Sequence, residues 1–128
     1  MQTYSLPKVS VLIPAFNEEK YILLTLAALL RQDYPYFEII IADNASTDQT
    51  ALLIKQFIDR QPVTGIIIKL VFEDRRGISF ARECARQAAT GTIIAQLDAD
   101  CIPPANWIEK GVSALCYNNF KIGIILSQ

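Results

Sequence analysis

Asp98 and Asp100 stand one residue apart, directly after the apolar run 92–97. If the backbone stays extended through them, both carboxylates leave the chain on the same side. Two hard oxygen donors side by side suit Mg²⁺ or Mn²⁺, which are commonly held by one or two carboxylates plus the phosphates of a substrate. The same pattern also serves as a plain turn, or as the cap of a helix opening near Pro103-Pro104. A further acid, Asp43, ends the apolar run 37–42. Ser46 or Thr47 is the expected cap of the helix that follows. Asp43 then remains to accept an N–H from a base or an O–H from a ribose. Arg75 and Arg76 precede Gly77. Arginine grips phosphate through paired N–H groups, and glycine lets backbone approach a ligand closely. The alternative is a solvated pair partnered by Glu73 and Asp74. Arg82 and Arg86 lie four apart on the next helix; one should face solvent, while Arg82 could reach back toward the acids. Phe16 is either a core aromatic or a flat platform for a nucleobase.

Periodicity predicts the elements that carry these residues. Residues 9–13 form a buried strand stopped by Pro14. Residues 18–31 have helical spacing, with Ile22, Leu26, Leu29 and Leu30 on one side, and Tyr34-Pro35 closes them. A second strand over 37–42 leads into a second helix over 48–60, carrying Leu52, Leu53, Phe57 and Ile58. A third strand at 66–72 and a third helix at 78–89 follow, the helix stopped at Thr90-Gly91. A fourth strand at 92–97, a helix at 106–117 and a fifth strand at 122–126 complete the order. Such alternation, with continuously apolar strands, predicts an α/β fold: a parallel sheet with helices on both faces. Ligands of such sheets bind beyond the carboxyl ends of the strands. All the residues singled out above lie in strand-to-helix loops or just after them, so they should share one rim.

Composition narrows the chemistry further. The 128 residues are one domain's worth, half of them hydrophobic, with a net charge of −1. That charge supports neither nucleic-acid binding nor a polybasic membrane patch. With no histidine, a histidine base, a Ser-His triad and a histidine metal site are excluded. Three cysteines without C-x-x-C spacing argue against a disulfide framework or zinc, and favour the cytoplasm. Residues 1–8 lack the apolar core of a signal peptide, and the longest mostly apolar stretch, 21–30, is too short to span a bilayer. There is no G-x-G-x-x-G after the first strand, no G-x-x-x-x-G-K-[ST] and no G-x-S-x-G.

Four blocks together resemble the N-terminal, nucleotide-sugar-binding part of family 2 glycosyltransferases of the GT-A fold. Residues 8–19, reading KVSVLIPAFNEE, resemble their first strand and loop. Residues 37–47 resemble the second strand and its Asp-x-x-Ser-Thr-Asp loop, and 76–82 the Gly-x-x-x-Ala-Arg segment. Residues 89–100 resemble the Ala-Thr-Gly strand that ends in Asp-x-Asp. The chain departs from the commonest pattern at Asn44, Arg75 and Glu83. The resemblance implies a Rossmann-like GT-A sheet and a UDP-sugar or GDP-sugar donor. Phe16 and Asp43 would contact the base, Pro14 and Glu18 would line that pocket, and Arg76 is counted with them among the nucleotide-sugar-binding residues. Asp98 would lie near ribose or metal, and Asp100 would hold Mg²⁺ or Mn²⁺ on the diphosphate. It further implies inverting, metal-assisted transfer to an acceptor hydroxyl on a saccharide, lipid or protein.

The family's base usually lies well downstream of Asp-x-Asp, and Glu109 is the sole acid here after Asp100. The single domain 1–128 is therefore expected to be truncated after the fifth strand, with the base and any membrane-associating segment beyond Gln128. Two other readings remain. One is a non-catalytic nucleotide-sugar-binding fragment. The other is a haloacid-dehalogenase-like phosphatase, whose Asp-x-Asp normally follows the first strand, not the fourth.

Overall fold

The computed structural model describes residues 6–117 and 123–126. Its elements are β1 (Val9–Ala15), α1 (Ile22–Leu30), β2 (Phe37–Asp43), α2 (Thr50–Asp59), β3 (Ile68–Phe72), α3 (Ile78–Gln87), β4 (Ile93–Gln96), α4 (Trp107–Tyr117) and β5 (Gly123–Leu126). All pairings are parallel, in the order β3-β2-β1-β4-β5. The order reverses between β1 and β4, which opens a crevice at their carboxyl ends. β2 is buried at every residue, including the charged Glu38 and Asp43, as a central strand covered on both faces requires. Alternate strand residues serve opposite faces. Val11, Ile13, Ile39 and Ile41 pack under Leu26 and Leu29 of α1, Ile54 of α2 and Ile108 of α4. Leu12, Ile40 and Ala42 pack under Ala81 and Ala85 of α3. Each fully buried valine, leucine or isoleucine contributes about 1.5–3 kcal/mol, so the sheet's two faces dominate the core.

Several boundaries differ from expectation, each for a physical reason. Pro14 does not stop β1: it pairs in register with Ala42. Even-numbered β1 residues bond toward β4, as Leu12 does in accepting from the Leu97 amide at 3.0 Å. β4 leaves the sheet after Gln96, so the N–H that proline lacks has no strand to meet. α1 starts at Ile22, not at residue 18, and the amides of Asn17, Glu18 and Glu19 ahead of it donate to side chains of Ser46, Thr50 and Asp48. α2 buries Thr50 and Ile54; Leu52 is half exposed, and Leu53, Phe57 and Ile58 pack only partly. Strand β3 opens at Ile68, not at residue 66, and residue 122 lies outside the described residues.

Gly91 is not a helix stop either, since α3 ends at Gln87 with Ala88 as its cap. A Cβ at Gly91 would lie 2.7 Å from the Lys8 carbonyl oxygen and from Ser10 Oγ. Glycine is needed there for close approach of backbones. The neighbouring Thr90 joins a buried network on Glu38. That carboxylate accepts from Ser10 Oγ at 2.6 Å, the Thr90 amide at 2.7 Å and Thr90 Oγ1 at 3.0 Å. Lys69 Nζ is 3.1 Å from its other oxygen. Burial pushes this carboxyl up, but the bonds from Ser10, Thr90 and Lys69 prevail and hold it at about 2. The network ties β1, β2, β3 and the approach to β4 together at the amino edge, leaving the carboxyl edge for other work.

Candidate functional site

The first two loops are interlocked by side chains. Asn17, at φ 51°, accepts from the Thr47 amide at 2.8 Å through Oδ1, and its own amide donates to Ser46 Oγ at 2.9 Å. The Glu18 amide donates to Thr50 Oγ1 at 2.8 Å, and Glu19 accepts from the Gln49 amide at 3.0 Å. Ser46 and Thr47 are thereby engaged with Asn17. Neither caps α2. The N-cap position is held by Gln49, which makes no side-chain cap bond, and Asp48 just before it accepts from the Thr50 amide at 2.9 Å. Asp43 closes β2 with only 4% exposure. Its Oδ2 receives the Ser46 amide at 3.4 Å, while Oδ1 is buried without a hydrogen-bond partner among the described residues.

A cleft of about 340 Å³ opens above this edge, lined by Pro14, Phe16, Glu18, Asn44, Arg76 and Gly77 among others. Phe16 is 40% exposed, so it is no core aromatic, and the Arg76 guanidinium lies over its ring at 3.9 Å from the centroid. The two arginines divide the alternatives between them. Arg75 pairs with Glu73 at 2.8 Å and lies over Phe80, whereas Arg76 turns into the cleft. Asn44 fixes this third loop. It donates to the carbonyls of Glu73 at 2.9 Å and Arg75 at 2.7 Å, and accepts from the Gly77 amide at 3.0 Å. Gly77 adopts φ 138°, a region that disfavours any residue with a Cβ.

Asp98 and Asp100 lie on the same rim but do not line that cleft. Both are exposed, alternating with buried Leu97 and Ala99. The backbone is not extended through them; the Cys101 amide donates to the Asp98 carbonyl at 3.0 Å, closing a tight turn. Ligand atoms of Asp98, Asp100 and Cys101 fall within 4.8 Å of one another. Burial, and then the charges of Asp100 and Asp98, push the Cys101 thiol up. A pair of hard oxygens suits Mg²⁺ or Mn²⁺, not a thiophilic metal. Arg82 does reach the rim, 3.9 Å from Asp98 Oδ1, and Arg86 pairs with Glu83 at the solvent. Glu18 links cleft and acids: burial, then Asp100, Asp48 and Asp98, push its carboxyl above the usual range. Neither aspartate is needed to cap α4, because the Ile108 amide near its start donates to Gln32 Oε1 at 3.0 Å.

Sequence reasoning passed over Asn17, Asn44, Thr25 and Gln32, whose work is to hold loops and not to bear charge. Thr25 had a detectable signal, being the one hydroxyl in the buried stripe of α1.

This fold and rim have counterparts among known proteins. The sequence model of glycosyl transferase family 2 matches residues 10–125. Glycosyltransferase AglE of Haloferax volcanii is 36% identical over 115 residues, 88% of this chain and 37% of AglE. The Escherichia coli UDP-Glc:alpha-D-GlcNAc-diphosphoundecaprenol beta-1,3-glucosyltransferase WfgD is 33% identical, with 88% of this chain and 43% of WfgD covered. Among solved structures, the mannosyltransferase PcManGT from Pyrobaculum calidifontis, in complex with GDP-Man and Mn²⁺, superposes with a TM-score of 0.81. It is 33% identical, covering 87% of this chain and 33% of that one. TarS of S. aureus in complex with UDP gives a TM-score of 0.76 at 26% identity, over 88% of this chain and 33% of that one. The chain belongs to glycosyl transferase family 2, with the GT-A-type α/β fold. It spans less than half the length of the relatives it matches.

Proposed function

We propose that this domain binds a nucleoside-diphosphate sugar, UDP- or GDP-linked, for inverting transfer to an acceptor hydroxyl. The observation that carries the reading is Asp43 Oδ1, a buried acceptor without a hydrogen-bond partner among the described residues, at the carboxyl end of β2 next to Asn44, which lines the cleft. Leaving such an atom unsatisfied costs about 1–3 kcal/mol or more, which an N–H from a nucleobase would recover. Phe16, braced by Arg76, offers the base a ring face. Pro14 and Glu18 line the same cleft, and Arg76 brings the cation nearest to an incoming diphosphate. Asp98 and Asp100 would hold a divalent cation, which when bound neutralises charge on the departing diphosphate. Transfer forms a bond between the acceptor oxygen and the anomeric carbon, and breaks the bond to the diphosphate oxygen. The residues assigned here bind and orient the donor; the base that takes the hydroxyl proton is not among them. Relatives support the donor class, since PcManGT was solved with GDP-Man and Mn²⁺, and TarS with UDP-GlcNAc. Among the described residues no helix is long and apolar enough to cross a membrane.

A thermal-shift screen of UDP, GDP and their sugars, with and without Mn²⁺, tests this reading. Ligand at a hundred times its Kd stabilises by about 2.7 kcal/mol, enough to move the midpoint by several degrees. Asp100→Asn should remove the Mn²⁺-dependent part of the shift and leave the metal-free part. No shift with any nucleotide would refute donor binding, and an unchanged Mn²⁺ dependence in the variant would refute the metal assignment.

A further inference from the structure

We propose that Thr25, in the middle of α1, is the positioning residue that sets the geometry of the Asp98–Asp100 turn for cation binding. The inference rests on the metal assignment above and adds a residue to it. Thr25 is fully buried among Ile22, Leu26 and Leu29, where an apolar side chain would otherwise be expected. Its hydroxyl donates to the Ala99 carbonyl at 2.8 Å and to the Cys101 carbonyl at 2.7 Å. A hydroxyl has one hydrogen, so that hydrogen is shared between the two oxygens. These carbonyls flank Asp100 on either side. Drawn inward to one point, they fix the backbone from which the Asp100 carboxylate projects to solvent.

The anchoring continues along the same helix and beyond its end. Gln32 Nε2 donates to the Pro104 carbonyl at 2.7 Å, its Oε1 accepts the Ile108 amide, and the Asp33 amide donates to the Ala105 carbonyl at 2.8 Å. The segment 99–108 is thus laid down on α1 and the turn after it, and Thr25 is the fastening nearest the acids. A ligand turn held from behind acts on the metal through its backbone. Loss of such supporting bonds typically weakens metal binding by about 10–100-fold.

Thr25→Val keeps the shape and removes the donor, while Thr25→Ser keeps the donor and removes a methyl. Mn²⁺ titrations followed by electron paramagnetic resonance, in the presence of UDP or GDP, read the metal affinity directly. Calorimetry of the same nucleotide without metal reads the cleft alone. The valine variant should lose about 10–100-fold in Mn²⁺ affinity, with metal-free nucleotide affinity within about twofold of wild type. The serine variant should return to within about threefold. If the valine variant does not fold, Thr25→Cys, with its weak S–H donor, should give an intermediate loss. Wild-type Mn²⁺ affinity in the valine or cysteine variant, or a serine variant as impaired as valine, would overturn the proposal. So would equal losses with and without metal, which would make Thr25 a packing residue only. Failure of the wild-type chain to bind Mn²⁺ with either nucleotide would instead bring down the metal assignment, and this proposal with it.

Discussion

Glu38→Gln tests whether one ionised carboxylate fastens four parts of the fold. Glu38 is 1% exposed and receives bonds from Ser10, from the amide and hydroxyl of Thr90, and from Lys69. Burial alone would raise its pKa, yet those partners hold it at about 2 against an ordinary 4.5. A drop of about 2.5, at about 1.36 kcal/mol for each factor of ten, corresponds to about 3 kcal/mol of stability linked to the charge. Because the folded value is the lower one, this stability is complete above 4.5 and is lost as pH falls toward about 2. Glutamine cannot carry the charge, and it turns an N–H₂ toward donors that need an acceptor. The variant should therefore be about 3 kcal/mol less stable at neutral pH, with the two proteins converging at the acid end. Urea unfolding between pH 2.5 and 7, followed by circular dichroism, gives both curves. The exposed pairs Glu73–Arg75 and Glu83–Arg86 titrate in both proteins and cancel. Should the glutamine chain fail to fold, Ser10→Ala removes one of the bonds to Glu38, along with the bond that Ser10 Oγ accepts from the Gly91 amide, and should show the same convergence on a smaller scale, above a pH-independent loss. Curves that stay parallel across the acid window would refute the assignment of this stability to Glu38.

Two further outcomes follow from close contacts. Gly91→Ala should cost about 1–3 kcal/mol in urea unfolding, because its Cβ meets three backbone or Ser10 atoms at 2.7–2.8 Å; an unchanged midpoint would mean that the approach to β4 is soft. Asn44→Ala should cost about 1–3 kcal/mol of stability by stranding the Glu73 and Arg75 carbonyls. It should also lower UDP or GDP affinity in calorimetry, since the Arg76 loop loses its tether. Asn44→Asp should be no better at neutral pH, having lost both donors.

The fold was legible because a parallel sheet buried on both faces writes itself as largely apolar runs, and residues 37–42, apolar but for Glu38, are such a run. The rim was legible for the same reason: whatever polar residue ends each run must emerge at the carboxyl edge, which is where Phe16, Asp43, Arg76 and Asp98 emerge. Which of these share a cleft was not legible. Phe16 and Arg76 meet because Asn44 draws the third loop inward, whereas Asp98 and Asp100 turn away after β4 has left the sheet. Capping and stopping residues were misassigned where a long-range partner outbid the local one. Ser46 and Thr47 have every local reason to cap α2, yet Asn17 takes them from a loop distant in sequence. Gly91 has the look of a helix stop, yet it answers to Lys8 and Ser10. Asn17, Thr25, Gln32 and Asn44 are uncharged residues with partners far along the chain, and of the four only Thr25, a hydroxyl within an apolar helical stripe, breaks a spacing pattern. The side chains that face a ligand follow from the strand pattern, but the side chains that aim them follow only from the packed structure. It is this second set, Thr25 and Asn44 above all, on which the precision of a donor site in this domain would depend.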